Sequence, residues 1–131
     1  MDTDKVSVAG IDESKIKQHS TNPQYIELPF ALSYSPDETW TGIFVSMYGN
    51  MKPPTNRRMF VLDNLIIIVA NLDDDLEVHK TIVEKIVDKT NEKYSELLMK
   101  KKEEKERLEK EMEKNKARLA EFKKRAKKLY R

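Results

Sequence analysis

The sequence predicts an α+β protein: a small βαββ head, ferredoxin-like but incomplete, followed by one long C-terminal helix that forms a coiled coil. Three observations carry this reading. From Asp74 to Arg131 there is no Gly or Pro, and Lys, Glu, Leu and Arg dominate, all good helix formers. Upstream, one segment alternates apolar and polar residues at period two, and another is apolar throughout, as strands do. Finally, 38% of residues are hydrophobic and 37% charged, a balance too polar for a compact sphere but suited to a chain with a long wet helix.

Residues 1–22 are polar and without sustained period, and are expected to form a flexible arm. A competing signal lies within them: Lys5-Val6-Ser7-Val8-Ala9 alternates like a half-buried strand and would fill a sheet edge left open nearby. The head is expected over residues 23–98. Its first strand, Gln24 to Ser35, sets Ile26, Leu28, Phe30 and Leu32 on one face. Pro29 lacks an amide proton, so that strand either lies at an edge or turns this nitrogen away from its neighbour.

Ser35-Pro36-Asp37-Glu38 has the form of a helix start with Ser35 as cap, and Gly49-Asn50 that of a stop. Between them Trp40, Ile43, Phe44 and Met47 mark an inward face at helical spacing. A loop through Lys52-Pro53-Pro54-Thr55-Asn56 leads to the strand Arg57 to Leu62. Asp63-Asn64 suits a type I′ turn, and the strand Leu65 to Ala70, apolar on both faces, belongs mid-sheet between the other two. Without a fourth strand, the first keeps an open edge for a protein partner's strand or for Val6 to Ala9 to fill.

The helix is expected to start at Asp73 or Asp74. Its first turns show a wide apolar face, with Leu76, Val83, Val87, Thr90, Tyr94 and Leu97 in line and Val78, Ile82 and Ile86 beside it, suited to covering a sheet. Residues 99–131 are read as a coiled-coil arm with a basic tip. In heptad form the a positions run Leu98, Lys105, Met112, Leu119 and Ala126, and the d positions Lys101, Leu108, Asn115, Phe122 and Leu129. The expected interaction seam is therefore Leu98, Leu108, Met112, Asn115, Leu119, Phe122, Ala126 and Leu129, with a homo-oligomer, a dimer first, as the assembly. Exposed pairs such as Glu96–Lys100, Glu103–Arg107, Glu106–Lys110 and Glu121–Arg125 would support the helix, but do not explain why the apolar residues share one stripe.

Charge is divided unevenly. Residues 1–113 hold 16 Lys+Arg and 22 Asp+Glu, a net −6; residues 114–131 hold nine basic residues and Glu121, a net +8. An alternative function, sequence-nonspecific nucleic-acid binding, would use Lys123, Lys124, Arg125, Lys127, Lys128 and Arg131 on phosphates.

Enzyme motifs are lacking. There is no cysteine, three glycines make no phosphate loop, and His19 and His79 have no adjacent nucleophile. His79 reads as a surface or interface residue. Asp73-Asp74-Asp75 reads as helix capping rather than a cation site, and Arg57-Arg58 as edge-strand protection, since adjacent strand residues point to opposite faces. The expectation is a non-catalytic, self-associating interaction or scaffold module with no cofactor and no metal. No apolar run has the length of a signal peptide or bilayer span, so a cytoplasmic protein is expected.

Overall fold

A computed structural model describes residues 5–19, 21–50 and 57–130. The protein is α+β, with an antiparallel sheet and one long C-terminal helix. Among the described residues the strands are β1 (Val8–Ile11), β2 (Lys17–Gln18), β3 (Tyr25–Leu32), β4 (Met59–Leu62) and β5 (Leu65–Asn71). The helices are α1 (Glu38–Asn50) and α2 (Leu76–Lys128), with a 3₁₀ turn at Glu13–Lys15. The chain divides into two compact units, Met1–Tyr94 and Ser95–Arg131.

The sheet order is β1-β3-β5-β4, with β2 also pairing β3. β5 thus lies between β3 and β4, and each residue from Leu65 to Ala70 is buried, as a two-sided apolar strand requires. Its Ile66, Ile68 and Ala70 share one face with Leu28, Phe30 and Leu32 of β3. Trp40, Phe44 and Tyr48 of α1, and Ile82, Val83, Ile86 and Val87 of α2, complete this core. Both helices therefore serve the same face of the sheet. Trp40 stacks on Phe44 with ring centroids 5.5 Å apart, and Phe44 on Tyr48 at 6.4 Å.

The N-terminal segment departs from the flexible arm expected of it. Val6 is buried in the core, Val8 packs beside it, and Ser7 exchanges two hydrogen bonds with Ser33. β1 then pairs with β3, with a bulge between Val8 and Gly10 where the register shifts. Gly10 sits at φ +146°, a conformation an L side chain rarely adopts. Of the two occupants expected for the open edge of β3, a partner's strand or the chain's own residues 6–9, the structure shows the second: β1 pairs there, and β2 beside it.

Of the two settings expected for Pro29, the structure shows the second: β3 is an interior strand, and the Pro29 nitrogen has no strand neighbour beside it. Its missing donor faces a gap in the neighbouring strand: β1 ends opposite Phe30, β2 resumes opposite Glu27, and residues 12–16 turn away between them. One bond bridges the gap, from the Asp12 amide to the Pro29 carbonyl at 3.1 Å. An imide nitrogen is tolerated in a central strand because no acceptor waits beside it.

Several local expectations shift by a turn or less. The cap of α1 is Asp37, not Ser35; its Oδ1 accepts from the Trp40 amide at 2.8 Å. The cap of α2 is Asp75, accepting from the Glu77 amide at 3.0 Å, so the helix starts at Leu76, two or three residues later than expected, and Leu76 is left 56% exposed. Asp63 alone among non-glycine described residues has positive φ (54°), so the β4–β5 hairpin does not use the type I′ turn, which needs two such residues. On α1, Tyr48 is a core residue, while Ile43 is only half-buried. The loop expected at residues 52–56 lies outside the described residues.

One side chain ties three elements together. Asn91 of α2 accepts from the Trp40 indole nitrogen through Oδ1 at 2.9 Å and donates through Nδ2 to the Val6 carbonyl at 2.7 Å. Tyr94, one turn on, donates to Asp37, and this bond raises the tyrosine's pKa because it favours the neutral phenol. Asn91→Ala leaves a buried indole N–H and a carbonyl without partners, and should cost about 1–3 kcal/mol in chemical denaturation. Trp40→Ala, which also empties the aromatic stack, should cost about 3–5 kcal/mol. Hydrogen exchange should separate the two: Asn91→Ala speeds exchange in β1 before it affects β5.

Candidate functional site

Two regions hold the side chains singled out by sequence, one in each compact unit. In the second unit, the described residues of α2 are exposed, apart from the half-buried Leu97. Of the expected seam, Leu98, Leu108, Met112, Leu119, Phe122 and Leu129 all face solvent, from 46% exposure at Leu108 to 77% at Leu129. Asn115 and Ala126 are exposed as well, and Leu129 lies just past the last helical residue, its amide donating to Ala126. The helix continues here because nothing interrupts it: straight-chain residues keep their rotamer freedom, and each backbone amide has its acceptor four residues back. Apolar residues contribute nothing to an isolated wet helix that alanine or lysine would not.

Charged contacts along this stretch are weak. An i to i+4 ion pair forms between Arg107 and Glu111 at 3.8 Å, with both side chains about 60% exposed, a geometry of small energetic consequence. Arg125 lies over the Phe122 ring at 5.7 Å, not beside Glu121. Lys123, Lys124, Arg125, Lys127 and Lys128 are exposed on the last turns, near the negative end of the helix dipole. Arg131 lies outside the described residues.

In the first unit, Arg57, Asp74 and His79 converge although nothing in their spacing predicts it. Arg57 meets Asp74 as a fork, Nε to Oδ2 at 2.8 Å and Nη2 to Oδ1 at 2.6 Å. His79 Nε2 donates to Asp74 Oδ2 at 2.9 Å, and so does the Asn71 amide, also at 2.9 Å. Since an ionised carboxylate can only accept, the His79 proton resides on Nε2. His79 is 2% exposed, a buried anchor and not the surface residue expected. The Arg57 guanidinium lies over the Tyr25 ring at 5.7 Å, and its carbonyl accepts from the Tyr48 hydroxyl at 3.0 Å.

This arrangement holds the approach to β4, the end of β5 and the start of α2 in one place. It is poorly suited to proton transfer. The Arg57 guanidinium holds the Asp74 carboxyl well below the usual carboxylate range, and four donors saturate its two oxygens. Of the three aspartates read as caps, Asp75 caps α2 directly, whereas Asp74 is the acceptor for Arg57 and His79, and Asp73 accepts from Gln24. Groups of three or more metal-ligating side chains are absent among the described residues.

Beside the fork lies a cleft of about 490 Å³ lined by His19, Thr21, Asn22, Tyr25, Arg57, Arg58 and Val69. Arg57 and Arg58 precede β4, and both line this cleft. Arg57 is engaged by Asp74, whereas Arg58 forms no ion pair among the described residues.

No helix among the described residues is long and apolar enough to cross a membrane. No protein-family model, curated protein or solved structure matches the chain.

Because the folded-state pKa of Asp74 is depressed, its contribution to stability is complete above the unfolded value near pH 4 and is lost as pH falls through that value toward the folded one. Denaturation midpoints of the wild type should therefore decline steeply below about pH 4.5. Asp74→Asn should be less stable near neutrality and show a flatter decline in acid. An unchanged acid slope would show that other carboxylates carry it.

Proposed function

We propose that this protein is a non-catalytic interaction or scaffold module that self-associates through the second compact unit. The observation that carries the reading is the exposed seam from Leu98 to Leu129, apolar at alternating steps of three and four along a helix otherwise covered in charge. A stripe of six large apolar side chains has no role on a solvated helix and a direct one between two helices. Lys101, Lys105 and Asn115 within the seam make the contact moderate in strength. The first unit acts as the head, an incomplete ferredoxin-like arrangement in which β1 takes the place of the final strand. A cytoplasmic setting accords with a chain free of cysteine.

The rival reading, nucleic-acid binding by the basic tip, rests on the +8 charge of residues 114–131. With only Phe122 and Tyr130 as aromatics there, and with cations already matched to the helix dipole, it is the weaker.

Sedimentation at high micromolar concentration should show an oligomer. The triple variant Leu108→Glu, Leu119→Glu, Phe122→Glu should sediment as a monomer whose first unit keeps its cooperative unfolding. A wild type that stays monomeric overturns the proposal. Tight binding to random duplex DNA would replace it with the rival, provided log K falls with log salt at about −0.9 per phosphate and Lys123, Lys124, Lys127 and Lys128→Gln reduces that slope by about three or four.

A further inference from the structure

We infer that the partner helix is a second copy of this chain running antiparallel, with the two-fold axis beside the Glu113–Lys114 bond; this rests on the self-association just proposed. The seam itself discriminates between orientations. In a parallel, in-register pair every a residue meets its own copy, as does every d residue, so Lys101 would face Lys101 and Lys105 would face Lys105 across a desolvated contact. Like charges so placed are strongly unfavourable.

Reversing one helix about Glu113–Lys114 removes both clashes. Heptad a positions then meet d positions: Leu98 faces Leu129, Leu108 faces Leu119, and Met112 faces Asn115. Lys101 falls opposite Ala126, where a small residue leaves room for the aliphatic stem. Lys105 falls opposite Phe122, whose ring already accepts one cation, Arg125, at 5.7 Å. All ten seam positions from Leu98 to Leu129 find a compatible partner, and all lie within the unit Ser95–Arg131.

The flanking charges agree. In the parallel pair, g-to-e contacts set Glu104 against Glu109 and Arg118 against Lys123, with only Glu111 and Lys116 attracting. In the antiparallel pair, like flanks meet, which couples Glu104 to Arg125, Glu111 to Arg118 and Glu109 to Lys116. Lys102 beside Lys123 is the one repulsive contact. The Arg107–Glu111 pair within one helix is exposed at 3.8 Å and too weak to keep Glu111 from an interhelical partner. At larger scale, the nine-cation segment after Glu113 would lie along its own copy in the parallel form, and in the antiparallel one along residues 96–113, whose seven acidic and six basic residues give a net −1.

The chain has no cysteine, so single thiols can be placed without background. Full-length Leu108→Cys and Leu119→Cys are prepared separately, shown by sedimentation to dimerise when reduced, and then equilibrated in glutathione buffer alone and mixed. The antiparallel pair places residue 108 against residue 119 and separates each from its own copy by about 16 Å along the axis, beyond disulfide reach. The expected result is a shift to dimer mass on a non-reducing gel in the mixture only. Efficient crosslinking of either variant with itself overturns the orientation while leaving self-association intact; a reduced protein that sediments as a monomer removes self-association as well.

A second measurement leaves the seam untouched. A spin label at the exposed f position, through Lys124→Cys, should report an intermolecular distance of about 30 Å or more for antiparallel helices. A distance near 20 Å would overturn the proposal in favour of the parallel pair.

Discussion

The central position of β5 is the constraint on which the first unit depends. A strand buried from Leu65 to Ala70 needs a hydrogen-bonding neighbour on both sides, and β3 and β4 supply them. Its core-side residues Ile66 and Ile68 then need a lid, which α1 and the first turns of α2 provide from opposite directions in sequence. Once both helices share one face, their polar side chains come within reach. Asn91 can satisfy the Trp40 indole, and Tyr94 can reach the Asp37 cap. The polar links are consequences of a burial pattern written in six consecutive apolar residues.

What was legible in the sequence was whatever repeats. The period of β3, the apolar run of β5 and the unbroken helical stretch after Asp75 all appear where pattern places them. What escaped was long-range or singular. Val6 and Val8 carry too few alternating residues to outweigh a polar surround, and their burial depends on a β3 edge that only the folded sheet creates. Arg57, Asp74 and His79 meet because a hairpin returns the chain, not because of any local spacing. Ser35 and Asp37 are both capable caps, and the structure decides between them through Tyr94, which engages Asp37 from 57 residues away. Pro29 left two settings open, an edge strand or a nitrogen without a neighbour, because sequence cannot show that the neighbouring strand would break beside it. The apolar stripe of the second unit was fully legible as a pattern, and its exposure in the single chain leaves its use to be proposed, not observed.

The two units treat polarity in opposite ways. In the first, buried polar atoms are matched: the Asp74 carboxylate accepts from four donors, Trp40 and Asn91 complete one another, and the buried Thr90 hydroxyl reaches the Met47 sulfur at 3.8 Å. In the second, the backbone is satisfied by the helix itself and apolar side chains are what remain unmatched. A matched network resists change and specifies one conformation, whereas an exposed stripe specifies a surface.

The bond from Asn91 to the Val6 carbonyl spans 85 positions of chain. A chain made from its N-terminus exposes Val6 and β3 long before Ile82, Val83 and Asn91 exist to cover them. At synthesis rates of about 5–20 residues per second, the apolar face of the sheet has only α1 to cover it for a period of seconds after β5 has emerged. β1 and β2 lie early in the chain and can occupy one edge of β3 during that interval, which shields a strand edge from pairing with other nascent chains. The N-terminal segment, which lies along one edge of β3 as two successive strands, thus needs no residue of the late helix to make its ladder bonds.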